Sequence, residues 1–576
     1  MRRVKLSSEH FKINKFEVDK KIMFLIIFGI LIFSLRSFNL NEAIFDDEAN
    51  SAYSVSVMDK WGINQDYPSS QLHNLIYKPF IFLFGLKIWV FRLVPLLFGI
   101  LNIVLVYFFS KRNFGKRVAF FSVIVMLISF YHTLASLQFD IEGNLIMTLF
   151  ILLFYSLIEF YNSKKKYWMF FTGFFLGVLI NNKYNAIFVV FIILAYVVFR
   201  NFKKERWIKK SICELFLIYF IGLVFFVFLI IVNMLLSTKM NNNSVHLFSW
   251  FDGFINAYRP NNFSILGLSM FLLWSTPLLF GFYIISLVKR NKELFLFIFW
   301  VSFNLIFYSF GITYGSFDRY LMNTIPALSI IAGFYLSKIN FSKFHIKFGA
   351  FVFIFYSLFL FYLNLRPAKF LSRNIGLYIK ELFSLNFDFI FVFTSASGPT
   401  FGVNFLTILV SFSLALFFLF LSMNFIKRNI RIFNLFFVIF LVISVSFNSF
   451  LVFEYLIHPT GNDVSEIKYQ MMDYVNKNGL AEPIYSNDSG IIWFYNNLYW
   501  RYKNNINSNV FGLPDNEINA RGKVARKSIS VNGGTVILLN WPKIPQNSPV
   551  WDIISSCSLD KNFYSRNLVL GQVFVC

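Results

Sequence analysis

Uninterrupted apolar runs, separated by short polar and basic segments, fill most of the chain up to residue 457. Each run is close to the ~20 residues that a helix needs to cross a hydrocarbon core of ~30 Å. A membrane β-barrel would alternate with period two, and these runs do not. Thirteen of them fall near 22–39, 88–109, 118–134, 143–161, 167–181, 185–199, 212–235, 264–287, 294–312, 319–336, 348–365, 401–423 and 432–456. The pattern predicts an all-α polytopic membrane protein with about 13 transmembrane helices. The first run has no small-residue cleavage site and reads as an anchor. After residue 457 the long apolar runs stop, and Asn, Lys, Gly and Pro become frequent. Residues 458–576 read as a small α/β domain. Glu466–Asn476 has helical spacing, and Pro483–Ser486 and Thr535–Leu539 read as strands, the second following Gly533-Gly534.

The loop charges orient these elements. Arg2, Arg3, Lys5, Lys12, Lys15, Lys20 and Lys21 precede the first run. Every second loop is again basic: Lys111-Arg112 with Lys116-Arg117, Lys164–Lys166, the stretch from Arg200 to Lys210, Lys289-Arg290 with Lys292, Lys338 with Lys343, and Lys427-Arg428 with Arg431. The positive-inside rule then predicts a cytoplasmic N-terminal tail (1–21), a membrane domain (22–457) and an extracytoplasmic C-terminal domain (458–576) in a multi-pass cell membrane protein. The first outer loop, 40–87, is long and holds two amphipathic stretches, Ala49–Trp61 and Leu72–Phe84, suited to helices in the interface. The outer loop 366–400 has room for another. The net charge of +24 comes mostly from these short loops. It reports topology and gives no reason to expect a nucleic-acid partner. The 82 Phe accompany abundant Ile, Asn and Lys, as AT-rich coding would produce. Cys557 and Cys576 both fall in the predicted outer domain and could pair there.

Charged groups at a membrane boundary are costly and usually functional. Five groups share the predicted outer boundary: Asp46-Asp47-Glu48, Asp140 with Glu142, Lys183 in a tight turn, Asp318-Arg319, and His73 with Lys78. The chain has only 29 acidic residues against 53 basic, so three adjacent acids are conspicuous. Cations here can hold a phosphate headgroup, and a carboxylate beside them can take a proton from an attacking hydroxyl or amine. Each group also has a plain structural reading. The triplet could be a solvated loop cluster, Lys183 a snorkelling helix-end lysine, Asp318-Arg319 a local ion pair, Asp140 a helix cap, and His73 an interfacial histidine.

Several passages resemble the GT-C glycosyltransferases, specifically the dolichyl-phosphate-mannose–protein mannosyltransferase-like group that includes lipid A aminoarabinose transferases. They are Phe45-Asp46-Asp47-Glu48-Ala49; Arg92-Leu93-Val94-Pro95 with Phe98-Gly99 and Lys111–Gly115; Leu137–Leu145 around Asp140; Gly177–Tyr184 ending in Lys183-Tyr184; and Arg319-Tyr320-Leu321 with Pro326 and Gly333. The resemblance runs in order over roughly residues 20–340. It implies a GT-C-like fold and an inverting transfer from a polyprenyl-phosphate-linked sugar to a glycan, lipid or protein acceptor outside the cytoplasm. Carried over by position, Asp47 takes the catalytic place with Glu48 its neighbour, and Asp46 is an extra acid, so the base could be Asp46 or Asp47. Arg319 and Lys183 would hold the donor phosphate, and Asp140, His73, Tyr184 and Tyr320 would contact substrate. A divalent cation is compatible with the acidic triplet, and the resemblance leaves it open. His73–Tyr77 lacks the family's prolines, and the family's arginine before Asp140 is replaced, since Gln138-Phe139 precede it. The sugar and the acceptor are therefore open.

Two other readings use the same charges: a transporter or flippase of lipid-linked sugars, and a ligase moving a preassembled glycan from a lipid pyrophosphate. The chain shows no clear internal repeat of the kind transporters carry.

Overall fold

The computed structural model describes residues 20–45, 47–56, 71–139, 143–202, 206–236, 276–289, 291–310, 318–339, 342–371, 375–393, 400–425, 429–458, 463–480, 483–495, 510–513, 528–541, 543–565 and 568–576. Ten helices open the chain: α1 (Lys20–Ser37), α2 (Asp47–Ser56), α3 (Gln71–Phe84), α4 (Ile88–Phe114), α5 (Lys116–Leu127), α6 (Phe130–Leu137), α7 (Asn144–Ser163), α8 (Lys166–Asn182), α9 (Val189–Asn201) and α10 (Trp207–Leu236). Helices Thr276–Lys289, Phe295–Phe310, Ile325–Leu336, Lys343–Asn364, Phe405–Phe425 and Ile430–Ile457 complete the membrane domain. Every predicted apolar run contains helix. Among the described residues, however, six helices are long and apolar enough to cross by themselves, or seven if one bent pair is a single span. Helix length and composition therefore do not establish the predicted thirteen.

The bent pair corrects the single span expected over 118–134. α5 and α6 meet at 64°. Arg36, at the end of α1, enters the break: it donates to the Leu127 carbonyl at 3.0 Å and to Ser136 Oγ and Thr133 Oγ1 at 2.8 and 2.9 Å. The first N–H of α6, that of Phe130, donates to Asn448 Oδ1 at 3.2 Å. A helix broken in an apolar interior exposes backbone groups that must find partners, and these side chains supply them.

α7 is buried along most of its length, while α10 exposes Phe216, Phe220, Leu223 and Phe228 and helix Lys343–Asn364 exposes Phe351, Ile354 and Leu358. Apolar rings directed outward are what a lipid-facing surface requires. α8 and α10 pack through Gly177 and Gly222, where a Cβ on Gly177 would collide with the Gly222 carbonyl. Close backbone approach of this kind is how helices associate where lipid removes the hydrophobic drive.

The predicted loop elements are present with adjusted bounds. α2 and α3 match the two amphipathic stretches, though residues 57–70 lie outside the described residues. The loop 366–400 holds helix Ile375–Phe383. The apolar run at 401–423 begins as strand: β1 (Ile390–Phe393) pairs antiparallel with β2 (Phe401–Asn404), and helix Phe405–Phe425 follows.

The C-terminal domain begins at helix Val464–Lys477. Its five-stranded sheet has the order β4-β3-β5-β7-β6, built from β3 (Ile484–Ser486), β4 (Val510–Gly512), β5 (Thr535–Leu539), β6 (Ser558–Ser565) and β7 (Leu568–Val575). The two predicted strands are β3 and β5, and they pair in parallel. Cys557 and Cys576 form a disulfide across the open end of the β6–β7 hairpin. Closing a loop of this size removes unfolded-state entropy of ~3 kcal/mol. Reducing it, or replacing both residues with serine, is expected to lower the urea midpoint of this domain. Protease cleavage within 463–576 would read that shift, and an unchanged midpoint would show the bond to be idle.

Candidate active site

The acidic triplet divides. Asp46 and the side chain of Asp47 lie outside the described residues. The backbone of Asp47 opens α2, and the Glu48 N–H donates to the Phe45 carbonyl at 2.9 Å. Glu48 itself is fully buried and faces Arg92 of α4 at 3.1 Å. Both of its oxygens are occupied. Oε1 accepts from Arg92 Nη1 at 3.1 Å and from the Phe139 N–H at 2.7 Å; Oε2 accepts from Arg92 Nη2 at 3.1 Å and from the Phe45 N–H at 3.2 Å. Burial pushes the Glu48 carboxyl upward, and Arg92 with the two backbone donors pulls it back. Arg92 also donates to the Glu42 carbonyl at 2.9 Å, to the Ala43 carbonyl at 2.6 Å and to the Leu137 carbonyl. One ion pair thus ties the segment before Asp47 to the segment before Asp140. Arg92 stood within a quoted motif, but sequence reasoning gave it no role. A buried arginine and a buried glutamate 44 positions apart carry no local signal that they meet.

The C-terminal domain grips the same segment. Ser465 Oγ accepts from the Ala43 N–H at 2.6 Å, and Tyr469 Oη donates to the Asn41 carbonyl at 2.8 Å. Lys468 Nζ donates to the Ile44 carbonyl at 3.0 Å, lies 3.5 Å from the Phe45 ring centroid and pairs with Asp488 at 2.8 Å. Gly490 sits so close to the Ile44 carbonyl that no Cβ would fit. The segment leading to Asp47 is therefore held from both the membrane helices and the C-terminal region.

Asp140 and Glu142 lie outside the described residues, but their flank is defined. Phe139 is buried against His73, Tyr77 and Phe91, with ring centroids 5.1, 4.5 and 4.5 Å away. His73 of α3 is therefore buried in an aromatic cluster with Tyr77 and Phe139.

The predicted cations come together. Lys183 follows α8, and Arg319 lies in the 3-10 turn Asp318–Thr324 that packs on α6 and α7. Both line one small cleft together with Ile146, Phe150, Tyr308, Tyr320 and Asn323. Tyr320 stands between them: its ring centroid is 4.2 Å from Lys183 Nζ and 5.4 Å from the Arg319 guanidinium carbon. Both cations are buried. The side chains of Tyr184 and Asp318 lie outside the described residues. Ile146 and Phe150 belong to the first two turns of α7, so the cleft opens a few residues beyond Asp140. Two cations and polar groups in an otherwise apolar cleft at a membrane helix end suit an anionic headgroup on a hydrocarbon chain.

Among known proteins, residues 70–231 match the family model described as dolichyl-phosphate-mannose-protein mannosyltransferase. Comparison with curated protein sequences gave no match. The whole chain superposes on ArnT from Cupriavidus metallidurans bound to undecaprenyl phosphate, with TM-score 0.57 and 15% identity over 96% of this chain and 97% of that one. The apo state of the same protein gives TM-score 0.55 and 14% identity over the same shares. A weaker likeness extends to the oligosaccharyltransferase AglB from Archaeoglobus fulgidus (TM-score 0.38, 12% identity, 72% of this chain and 59% of that one). Residues 70–231 are thus similar to the dolichyl-phosphate-mannose-protein mannosyltransferase family, and the chain as a whole shares the membrane fold of ArnT.

Proposed function

We propose that this protein transfers a single sugar from a polyprenyl-phosphate donor to a hydroxyl or amine of an extracytoplasmic glycan, lipid or protein acceptor. The observation that carries the reading is the convergence of Lys183 and Arg319, 136 positions apart, on one cleft at the outer end of α7. Those cations hold the donor phosphate, and Tyr320 and Asn323 border it. Asp47 is the base that takes the acceptor proton as the nucleophile attacks the anomeric carbon. Inversion follows from a single in-line displacement, with the lipid phosphate leaving on the side of the cations. Glu48 is a positioning residue, since Arg92 and two backbone N–H groups already occupy its oxygens. Asp46 is the neighbouring acid, and Asp140 orients substrate from the segment that Glu48 anchors. His73 and Tyr184 complete the substrate wall. The loop charges put the N-terminus in the cytoplasm and the domain 458–576 outside, and the Cys557–Cys576 disulfide suits an oxidising compartment.

A reconstituted assay tests this. Purified protein in lipid is given a panel of labelled polyprenyl-phosphate monosaccharides and, in parallel, a polyprenyl-pyrophosphate oligosaccharide. One monosaccharide donor is expected to be consumed, with lipid phosphate released. Consumption of the oligosaccharide donor alone would make the protein a ligase, and movement of an intact donor across the bilayer would make it a flippase.

A further inference from the structure

Glu42, His458 and Asp463 come from three segments: the first outer loop, the residue that ends helix Ile430–Ile457, and the residue that starts helix Val464–Lys477. One ligand atom from each lies within 4.8 Å of the others. His458 Nε2 faces Glu42 Oε1 at 3.7 Å, beyond hydrogen-bond length, and the two side chains are 8% and 10% exposed. Among the described residues, neither ring nitrogen of His458 nor Glu42 Oε2 has a hydrogen-bond partner. Glu42 Oε1 accepts from Asn39 Nδ2 at 3.1 Å, and Asp463 Oδ1 caps its helix by accepting from the Glu466 N–H at 2.9 Å. Each carboxylate thus keeps an oxygen to spare. The nearby cations are otherwise engaged: Lys468 is spent on Asp488 and Ile44, and Arg92 on Glu48. A buried imidazole that faces one carboxylate at 3.7 Å and lies within 4.8 Å of a second, with neither nitrogen at hydrogen-bond distance of a partner, is an arrangement that a bridging metal ion would satisfy.

We propose that Glu42, His458 and Asp463 bind one divalent transition-metal ion, zinc by their chemistry, at the joint between the membrane domain and the C-terminal domain. One imidazole and two carboxylates with a water in the fourth position is an established zinc donor set. Bonds of ~2.0–2.1 Å put tetrahedral ligand atoms about 3.3 Å apart, so the side chains close by roughly an ångström or so. His458 holds a left-handed backbone (φ 49°) at the helix end, and its ring faces Glu42. An ion here would fix Glu42, whose carbonyl Arg92 already holds, and so brace the segment leading to Asp47. The site shares no residue with the acidic triplet or with the cleft of Lys183 and Arg319.

The test is zinc binding by the full chain in detergent. The protein is stripped with chelator and equilibrated with zinc chloride; bound metal is counted by mass spectrometry and affinity is read by calorimetry. One zinc per wild-type chain is expected. E42Q and H458N should each weaken binding by roughly tenfold or more; asparagine tolerates the left-handed backbone. D463N keeps the helix cap and should weaken binding with an unchanged circular dichroism spectrum. A D46N/D47N double variant should bind zinc as wild type does. Wild type holding no more zinc than a denatured control would overturn the site. So would zinc that survives E42Q and H458N, or that is lost only with Asp46 and Asp47.

Discussion

Asp47→Asn is expected to lower sugar transfer by ~10²–10⁴-fold while leaving donor binding intact. Arg319→Ala is expected to do the reverse in order: donor affinity falls first, and turnover falls with it. The contrast rests on where each group acts. A base works only as the acceptor proton moves, so its loss appears in kcat. A cation in the cleft touches the donor phosphate before and during the reaction. Charge-assisted hydrogen bonds contribute ~1.5–3 kcal/mol each, or about 10–150-fold in affinity. Lys183→Ala should weaken the donor by a similar factor, and Arg319→Lys should recover only part of the loss because the planar fork is missing. Titration of a labelled polyprenyl phosphate into each variant measures the affinity, and single-turnover transfer measures the chemical step. If Asp47→Asn retains full turnover, the base is elsewhere, with Asp46 the next to replace. If Arg319→Ala and Lys183→Ala both bind the lipid as wild type does, the cleft is not the phosphate site.

Much of the membrane architecture was legible because hydrocarbon imposes a period and a length on every crossing segment. The helices α4, α7 and α10 needed nothing more than that. The break between α5 and α6 was not legible, because Ile128-Ser129 is no strong helix breaker. What stabilises the break is Arg36, a residue over 90 positions away, and only folding brings it there. The C-terminal region showed its two best strands and its disulfide, since β3 and β5 are short apolar runs flanked by turn residues. β6, with its exposed Asp560 and Lys561, lacks that pattern and is defined by pairing with β7. Of the site, Lys183 and Arg319 were found because charge at a membrane boundary is conspicuous. Arg92, Lys468 and His458 were not, because the residues of segment 42–48 that they meet lie 44 to 424 positions away and a single sequence has no marker for such pairs.

Breaking the Glu48–Arg92 pair from one side is expected to be the most damaging change to the site that leaves Asp47, Lys183 and Arg319 in place. Arg92→Ala would strand a buried carboxylate and remove the donors to the carbonyls of Glu42, Ala43 and Leu137. Removing one partner of a buried pair costs ~3–5 kcal/mol. The cost falls on the two segments that the pair joins, so the amides of 42–48 and 137–139 should exchange with solvent about 10²–10⁴-fold faster if they open locally. Transfer should fall with them, because both Asp47 and Asp140 follow directly from those segments. Glu48→Gln keeps an oxygen for the Phe139 N–H and should be milder. Combining Glu48→Gln with Arg92→Met should restore part of the protection lost in Arg92→Ala, since no unpaired charge is left buried. A pH profile of transfer separates positioning from chemistry. If Glu48 only positions, Glu48→Gln lowers the rate but leaves the acid limb where it was; if Glu48 is itself the base, that limb disappears. Arg92→Ala with wild-type exchange and wild-type turnover would show that the ion pair is incidental to the site.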